Sequence, residues 1–178
     1  MGVSGSGKST LGSALAERMG LEMIDGDDLH LPESVAKMRA GIALTDDDRW
    51  PWLDRIANLL AARSNPPGLV VACSALRRAY RDRIRQRAKG VRFVFLDGSF
   101  ELIRQRMTLR VGHYMQPDLL QSQFNTLERP QSDETDVLAL TIHRSVDELA
   151  DAAVLGLRQR TPSQSHHGEA AEQQTPQP

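Results

Sequence analysis

Four short apolar runs along the chain predict β-strands. They are Leu21–Asp25, Leu69–Cys73, Val91–Asp97 and Val137–His143. The second run, LVVAC, is apolar throughout, which is typical of a strand that is buried on both faces of a parallel sheet. Because parallel strands are joined by crossover connections, the pattern also predicts helices between the runs.

The segments between the runs repeat apolar residues every three or four positions, as amphipathic helices do. In the first of them, Leu11, Leu15 and Met19 share one face, and in the last, Ser145 and Glu148 form a capping box. Helices are predicted at Lys8–Arg18, Pro32–Arg39, Thr45–Arg63, Leu76–Ala88, Phe100–Arg110, Asp118–Glu128 and Ser145–Gln159. This alternation predicts an α/β domain of three layers with a mainly parallel sheet.

The stretch GVSGSGKST, which precedes the first helix, fits the pattern of a phosphate-binding loop. The amides of Ser4–Ser9 are expected to surround phosphate oxygens, with Lys8 on the outer phosphates and the Ser9 hydroxyl on Mg²⁺. The residues expected to bind the nucleotide are Gly2, Val3, Ser4, Gly5, Ser6, Gly7, Lys8, Ser9 and Thr10. The loop therefore predicts binding of a nucleoside triphosphate.

Only Met1 precedes this loop, although such a loop normally follows a buried strand. We therefore expect that the first strand is missing from this chain and that the natural protein begins about ten residues upstream. The neighbouring strands would then have unpaired edges, and the loop would lose its anchor. The chain as written is expected to be unstable or poorly active.

Composition narrows the class of protein. The 178 residues, 40% hydrophobic and 25% charged, are typical of one globular domain, which we place at 1–160. Residues 161–178 hold no apolar residue beyond alanine and are expected to be disordered. A net charge of −1 favours neither a nucleic-acid nor a membrane partner, and no apolar run is long enough to span a membrane. The single cysteine and the absence of a visible signal peptide fit a cytoplasmic protein.

The remaining motifs select among the nucleotide-binding classes. The sequence contains neither Asp-x-x-Gly nor Asn-Lys-x-Asp, which argues against a GTPase switch. A motor or helicase would be larger and would have a surface for nucleic acid. A small-molecule kinase is the class that remains.

Acidic residues follow the first predicted strand, at the edge where ligands of an open parallel sheet bind. A carboxylate such as that of Asp27 can accept the proton of a hydroxyl that attacks the terminal phosphate. The neighbouring Asp25 can hold Mg²⁺ through water. A solvated acidic turn explains this spacing equally well.

Several cations and hydrogen-bonding residues are expected around the same cleft. His30, Lys37 and Arg49 lie in the connection after the acidic turn, where they can grip an anionic, hydroxyl-rich substrate. Ser74 and Arg77 follow the strand LVVAC and are expected to point into the cleft if that strand is central. Taken singly, each of the charged residues is more often an exposed helix charge.

A cluster of arginines before the break at Gly112 indicates a lid over residues 104–117. Arg106 and Arg110 share a helical face and are expected to close over the phosphates and exclude water. Arg104 is interpreted as a solvent-facing charge. The arginines of the predicted helix Leu76–Ala88 are interpreted as a solvated face, because no aromatic platform for RNA accompanies them.

Taken together, these stretches resemble the gluconokinases of the P-loop kinase superfamily, in particular the thermoresistant type. The matching stretches include GVSGSGKST, DGDDLH, KMRAGIALTDDDRWPWL, VVACSALRRAYRD and GHYMQPDLLQSQFNTLERP. The resemblance implies ATP- and Mg²⁺-dependent phosphorylation of the 6-hydroxyl of D-gluconate, commonly by a homodimer. It also implies that Asp27 is the base, that His30, Lys37 and Arg49 contact gluconate, and that Arg106 and Arg110 belong to the lid.

Two alternatives stay open at this point. The first is a kinase of another small hydroxy acid such as shikimate, since those kinases share the loop, the acid pair and an arginine. The second is a nucleotide-binding remnant that is inactive because its first strand is missing.

Overall fold

Helices and strands alternate along the chain, as the sequence predicts. The computed structural model describes residues 1–63, 68–109 and 117–159. Its elements are α1 (Lys8–Met19), β1 (Glu22–Asp25), α2 (Pro32–Arg39), α3 (Asp46–Ala62), β2 (Leu69–Ala72), α4 (Arg78–Arg87), β3 (Phe93–Asp97), α5 (Phe100–Thr108), α6 (Pro117–Thr126), β4 (Val137–Thr141) and α7 (Val146–Gln159). Each predicted element is confirmed, with ends that shift by at most two residues. A short 3₁₀ helix at Gly26–Leu29, which the sequence analysis did not predict, follows β1.

The strands form two parallel pairs. β1 pairs with β2, and β3 pairs with β4. The backbone of Met1 and Gly2 lies between the pairs: the Gly2 amide donates to the Ser74 carbonyl at 3.1 Å, and the Leu96 amide donates to the Met1 carbonyl at 2.9 Å. Met1 and Gly2 therefore occupy the end of a strand position between β2 and β3.

An apolar cavity of about 400 Å³ continues from this point between β2 and β3. Its lining includes Val71 of β2, Phe93 of β3, Leu15 of α1 and Ile56 of α3, together with Met1. The cavity lies on the side of Met1 where the sequence predicts a further strand, and the absence of that strand from this chain stays a prediction. The parallel α/β architecture predicted from the sequence is confirmed.

The helices cover the strands in two apolar clusters. One lies around α3 and α4, where Trp52, Ile56 and Tyr80 are buried. The other lies around α1, α5 and α7, where Leu11 and Ile103 are buried. Within the described ranges, no helix is both long and apolar enough to cross a membrane.

Two predicted helix starts are confirmed in detail. Thr45 and Asp48 exchange side-chain and backbone hydrogen bonds at the start of α3, as a capping box does. Ser145 and Glu148 make the same exchange at the start of α7. Three aspartates lie in the first turn of α3, where the helix dipole favours negative charge.

The interpretation of α4 as a solvated arginine face is wrong for its central residue. Arg81 is only 1% exposed and donates to both carboxylate oxygens of Glu134, at 2.7 and 2.6 Å. Arg85 joins this pair through Glu134 and also binds Asp136. The acids that pair with these arginines lie about fifty residues further along the chain, so local spacing does not predict these pairs.

The amino group of Met1 predicts a pH dependence of stability. It donates to the Val94 carbonyl at 2.5 Å, and burial lowers its pKa from 8.0 to about 6. Between these values the unfolded chain binds more protons than the folded chain, so the free energy of unfolding rises with pH. We expect a gain of about 2 kcal/mol between pH 6 and pH 8, measured by denaturant titration. N-terminal acetylation is the control, and an equal gain in the acetylated chain would contradict the assignment.

Candidate active site

The loop between Gly2 and Ser9 has the left-handed backbone that its glycines permit. Gly5 has φ +78°, and Gly7, the residue that caps α1, has φ +97°. A Cβ at Gly5 would lie 2.6 Å from Cγ of Met107, so this position also needs glycine for space. The loop therefore leads into the N-terminus of α1, where backbone N–H groups favour an anion.

Two side chains already contact the loop. The Lys8 ammonium donates to the Val3 carbonyl at 3.1 Å, which keeps the charge beside the loop. The Ser4 amide donates to Oε1 of Gln123 at 2.6 Å, and Nε2 of Gln123 donates to the Ser4 hydroxyl at 3.0 Å. Gln123 is not among the residues predicted from the sequence, because it lies on α6 and no local signal indicates this contact.

The two residues predicted to hold a metal lie together. The Ser9 hydroxyl donates to Oδ2 of Asp25 at 2.6 Å. Oδ1 of the same carboxylate accepts the Asp27 amide at 3.1 Å and so orients the acidic turn. In the part of the chain that the structure describes, no three His, Cys, Asp or Glu side chains form a metal cluster. One hydroxyl and one carboxylate nevertheless fit Mg²⁺, which takes one or two carboxylates and completes its shell with water and phosphate oxygens.

Asp27 presents its carboxylate at the same place. Its side chain opens to solvent on one side and receives no hydrogen bond from the described residues. Desolvation by the surrounding protein raises its pKa, and the charge of Lys8 partly opposes that rise. A hydrogen-bond acceptor therefore stands free within the electrostatic reach of the loop lysine.

His30 stacks on Trp52 beside this turn. The rings are 4.4 Å apart and nearly parallel, and the Trp52 indole N–H donates to the Gly26 carbonyl at 2.6 Å. Nδ1 of His30 is buried and has no hydrogen-bond partner among the described residues. Burial lowers the pKa of His30, with Asp27 opposing and Arg49 reinforcing the effect. His30 therefore links the acidic turn electrostatically to Arg49.

The three predicted substrate cations each meet a partner. Lys37 donates to Asp48 at 2.6 Å, and Arg77 donates to Asp46 at 2.7 Å. Arg49 donates to the Tyr80 hydroxyl at 3.4 Å. The partners of Arg49 and Arg77 thus meet, because the Tyr80 hydroxyl itself donates to Asp46.

The other predicted residues have mixed outcomes. Ser74 contributes its carbonyl to the Gly2 amide. The Arg106 guanidinium donates to the Ile142 carbonyl at 2.5 Å, at the end of β4. Residues 110–116 of the predicted lid, Arg110 among them, lie outside the described residues. The catalytic roles of both arginines stay predictions.

Comparison with known proteins identifies the family. The family model described as Shikimate kinase matches residues 4–154. The thermosensitive gluconokinase of Escherichia coli (strain K12) is 46% identical over 164 residues, which cover 89% of this chain and 87% of that protein. The chain belongs to the gluconokinase family. The thermoresistant gluconokinase of the same organism is 42% identical, and the match covers 83% of this chain and 85% of that protein, so the chain is similar to both types.

A solved structure agrees with this assignment. The crystal structure of a gluconokinase from Sinorhizobium meliloti 1021 superposes with a TM-score of 0.82 and 48% identity, over 89% of each chain. The chain is therefore a phosphotransferase with a P-loop kinase fold. Kinases of this family take the phosphoryl group from ATP and transfer it to a small molecule.

Proposed function

We propose that this chain transfers the γ-phosphoryl group of ATP to the 6-hydroxyl of D-gluconate and forms 6-phospho-D-gluconate. The observation that supports this most is the Asp27 carboxylate, which is exposed to solvent and lies within the electrostatic influence of Lys8 and His30. The relatives named gluconokinase, at up to 46% identity over most of the chain, supply the substrate.

The loop and α1 bind the nucleotide. The amides of Ser4–Ser9 and the helix dipole surround the phosphates, and Lys8 leaves the Val3 carbonyl to reach the outer phosphates. Ser9 and Asp25 would hold Mg²⁺, which when bound neutralises charge on the phosphate oxygens. Arg106 and Arg110 are proposed to close over the phosphates from the lid.

Asp27 acts as the general base. Its carboxylate accepts the hydrogen bond of the 6-hydroxyl and takes its proton as the oxygen attacks the γ-phosphorus. Desolvation raises the pKa of the Asp27 carboxyl, which strengthens the carboxylate as a base, and the Lys8 charge opposes part of that rise.

The remaining site residues bind the sugar acid. Arg49 and Arg77 are proposed to receive the gluconate carboxylate, because planar guanidinium groups pair with carboxylates through two hydrogen bonds. Lys37, His30 and Ser74 are proposed to contact hydroxyl groups. His30 does so as a neutral imidazole, which can both donate and accept a hydrogen bond.

A coupled assay of ADP release tests the proposal. We expect the kcat/KM for gluconate to exceed those for shikimate and for nucleoside monophosphates by about 100-fold or more, because an unpaired buried polar group rejects the wrong ligand. Turnover of shikimate in preference to gluconate would contradict the substrate assignment. Absence of ADP release with every acceptor would favour the inactive remnant.

Three further parts of the proposal concern the whole chain. We propose that it acts as a homodimer in the cytoplasm, as the resemblance to gluconokinases implies. We also propose that the kinase domain spans residues 1–160, with a lid at residues 104–117; residues 110–116 of the lid and the predicted tail at 161–178 lie outside the described residues.

A further inference from the structure

The first turn of α3 places carboxylates against all three proposed substrate cations. Oδ2 of Asp46 is 2.7 Å from Nη1 of Arg77, and its Oδ1 is 3.8 Å from Nη1 of Arg49. Oδ1 of Asp48 is 2.6 Å from Nζ of Lys37. Each cation therefore has a carboxylate nearby before any substrate binds, and its positive charge is partly neutralised.

Tyr80 fixes the position of Asp46 between the arginines. The tyrosine is 1% exposed, and its hydroxyl donates to Oδ1 of Asp46 at 2.5 Å. The guanidinium carbons of Arg49 and Arg77 lie 5.8 and 5.9 Å from the centre of its ring. The hydroxyl, the ring and the carboxylate thus hold both guanidinium groups in one arrangement.

The net charge of Lys37, Arg49 and Arg77 together with their two carboxylate partners is small. The three cations and the two carboxylates of Asp46 and Asp48 leave one net positive charge. An aldonate such as gluconate has one carboxylate and one negative charge. The group therefore matches a singly charged acid, and a doubly charged acid would place its second charge against Asp46.

We propose that Asp46 determines the charge selectivity of the substrate site, favouring singly charged over doubly charged acids. This inference rests on the proposed function, in which Arg49 and Arg77 receive the substrate carboxylate. Asp46 acts in two ways. It keeps part of the hydrogen-bonding capacity of Arg77 occupied, and it removes one positive charge from the group. A site without this carboxylate would attract a dianion more strongly than a monoanion.

Asp46→Asn removes the charge and keeps the shape of the side chain. The probes are propionate and malonate, which are similar in size and differ by one negative charge. Calorimetry on the whole chain at constant ionic strength gives the Kd of each anion. We expect the variant to bind malonate more tightly relative to propionate by about fivefold, since removing one nearby charge acts on two probe charges instead of one.

Asp47→Asn is the matched control. Asp47 lies in the same turn, so its loss weakens the charge at the N-terminus of α3 equally, but its side chain is exposed and makes no ion pair within the described ranges. We expect its selectivity to equal that of the parent chain. An equal shift in both variants would show a general effect of helix charge and would overturn the inference.

Other results would also overturn the inference. They are an unchanged ratio in Asp46→Asn, loss of both anions in that variant, and no measurable binding of either anion to parent and variant. If Asp46→Asn does not fold, Tyr80→Phe carries the test, because it keeps the buried ring and removes the hydroxyl that donates to Asp46. The Asp46 charge is then less neutralised, and the expected change is about twofold weaker binding of malonate relative to propionate. Because these measurements need no turnover, a failure of gluconate phosphorylation is seen separately in the ADP-release assay.

Discussion

Replacing Asp27 by asparagine is expected to lower kcat about 1,000-fold, with a much smaller change in the KM for gluconate. The amide keeps the size of the carboxylate and can still accept a hydrogen bond, but it cannot take the proton of the attacking hydroxyl. General-base catalysis typically contributes factors of 10² to 10⁴, which sets the expected size of the loss. Steady-state ADP release at saturating ATP measures it.

The pH profile gives this prediction a second readout. Desolvation raises the pKa of Asp27, and the ionised form is the active base, so activity is lost as the pH falls through a value above the ordinary 3.8. We expect kcat/KM of the parent chain to show this acidic limb and the residual activity of Asp27→Asn to lack it.

Asp28→Asn is the matched control for both readouts. Asp28 lies in the same 3₁₀ helix and is exposed, so the change removes one charge from the turn without touching the proposed base. Its kcat is expected to stay within about threefold of the parent value, as for a surface charge. A comparable loss in both variants would show that the charge of the turn matters and that Asp27 is not a specific base.

The elements of the fold are predictable because local pattern determines them. Apolar runs predict the four described strands, and Thr45 and the capping box at Ser145 predict where α3 and α7 begin. The phosphate loop is predictable for a related reason. Gly5 and Gly7 have positive φ angles that other residues rarely adopt, so the glycines of the motif predict the backbone conformation of the loop.

The partners of the site residues are not predictable from local pattern. Lys37, Arg49 and Arg77 are singled out by the sequence as candidate cations, but the network of Asp46 and Tyr80 joins positions about thirty residues apart. The contact of Gln123 with Ser4 spans 119 residues. These contacts form only when α6 packs on the loop and α4 packs on α3, and the spacing of residues along the chain does not predict that packing.

The buried pair of Arg81 and Glu134 illustrates the same limit. A helix with many arginines is usually solvated, and the sequence supports that interpretation. In the structure, Arg81 also donates to the carbonyls of Ala75, Leu76 and Glu128, so it holds the backbone that precedes Arg77. The buried charge of Arg81 is tolerated in the core because its N–H groups donate to the Glu134 carboxylate and to three backbone carbonyls, so these buried polar groups are paired.

An apolar extension of four residues before Met1, such as Val-Val-Val-Leu, is expected to raise the Tm by about 10 °C. The backbone of Met1 and Gly2 already bonds to both β2 and β3, so added residues continue in the same direction into the cavity of about 400 Å³. Each buried Val or Leu contributes about 1.5–3 kcal/mol, and ordering each residue opposes this by about 1–2 kcal/mol. Hydrogen bonds to the edges of β2 and β3 add to the free energy of unfolding. A net gain of about 3–5 kcal/mol in that free energy corresponds to the expected rise in Tm for a chain of this size.

A Ser-Gly-Ser-Gly extension of equal length separates the effect of filling the cavity from the effect of removing the Met1 amino group. Both extensions remove the buried amino group of Met1 from its contact with Val94, so any effect of that charge is common to them. Only the apolar extension fills the cavity between β2 and β3, and only it is expected to raise the Tm substantially. It should also increase kcat, because the strand would anchor the loop that binds the phosphates. Equal melting temperatures for the two extended chains would mean that the cavity does not accept a strand, and the space between the two strand pairs would then need another explanation.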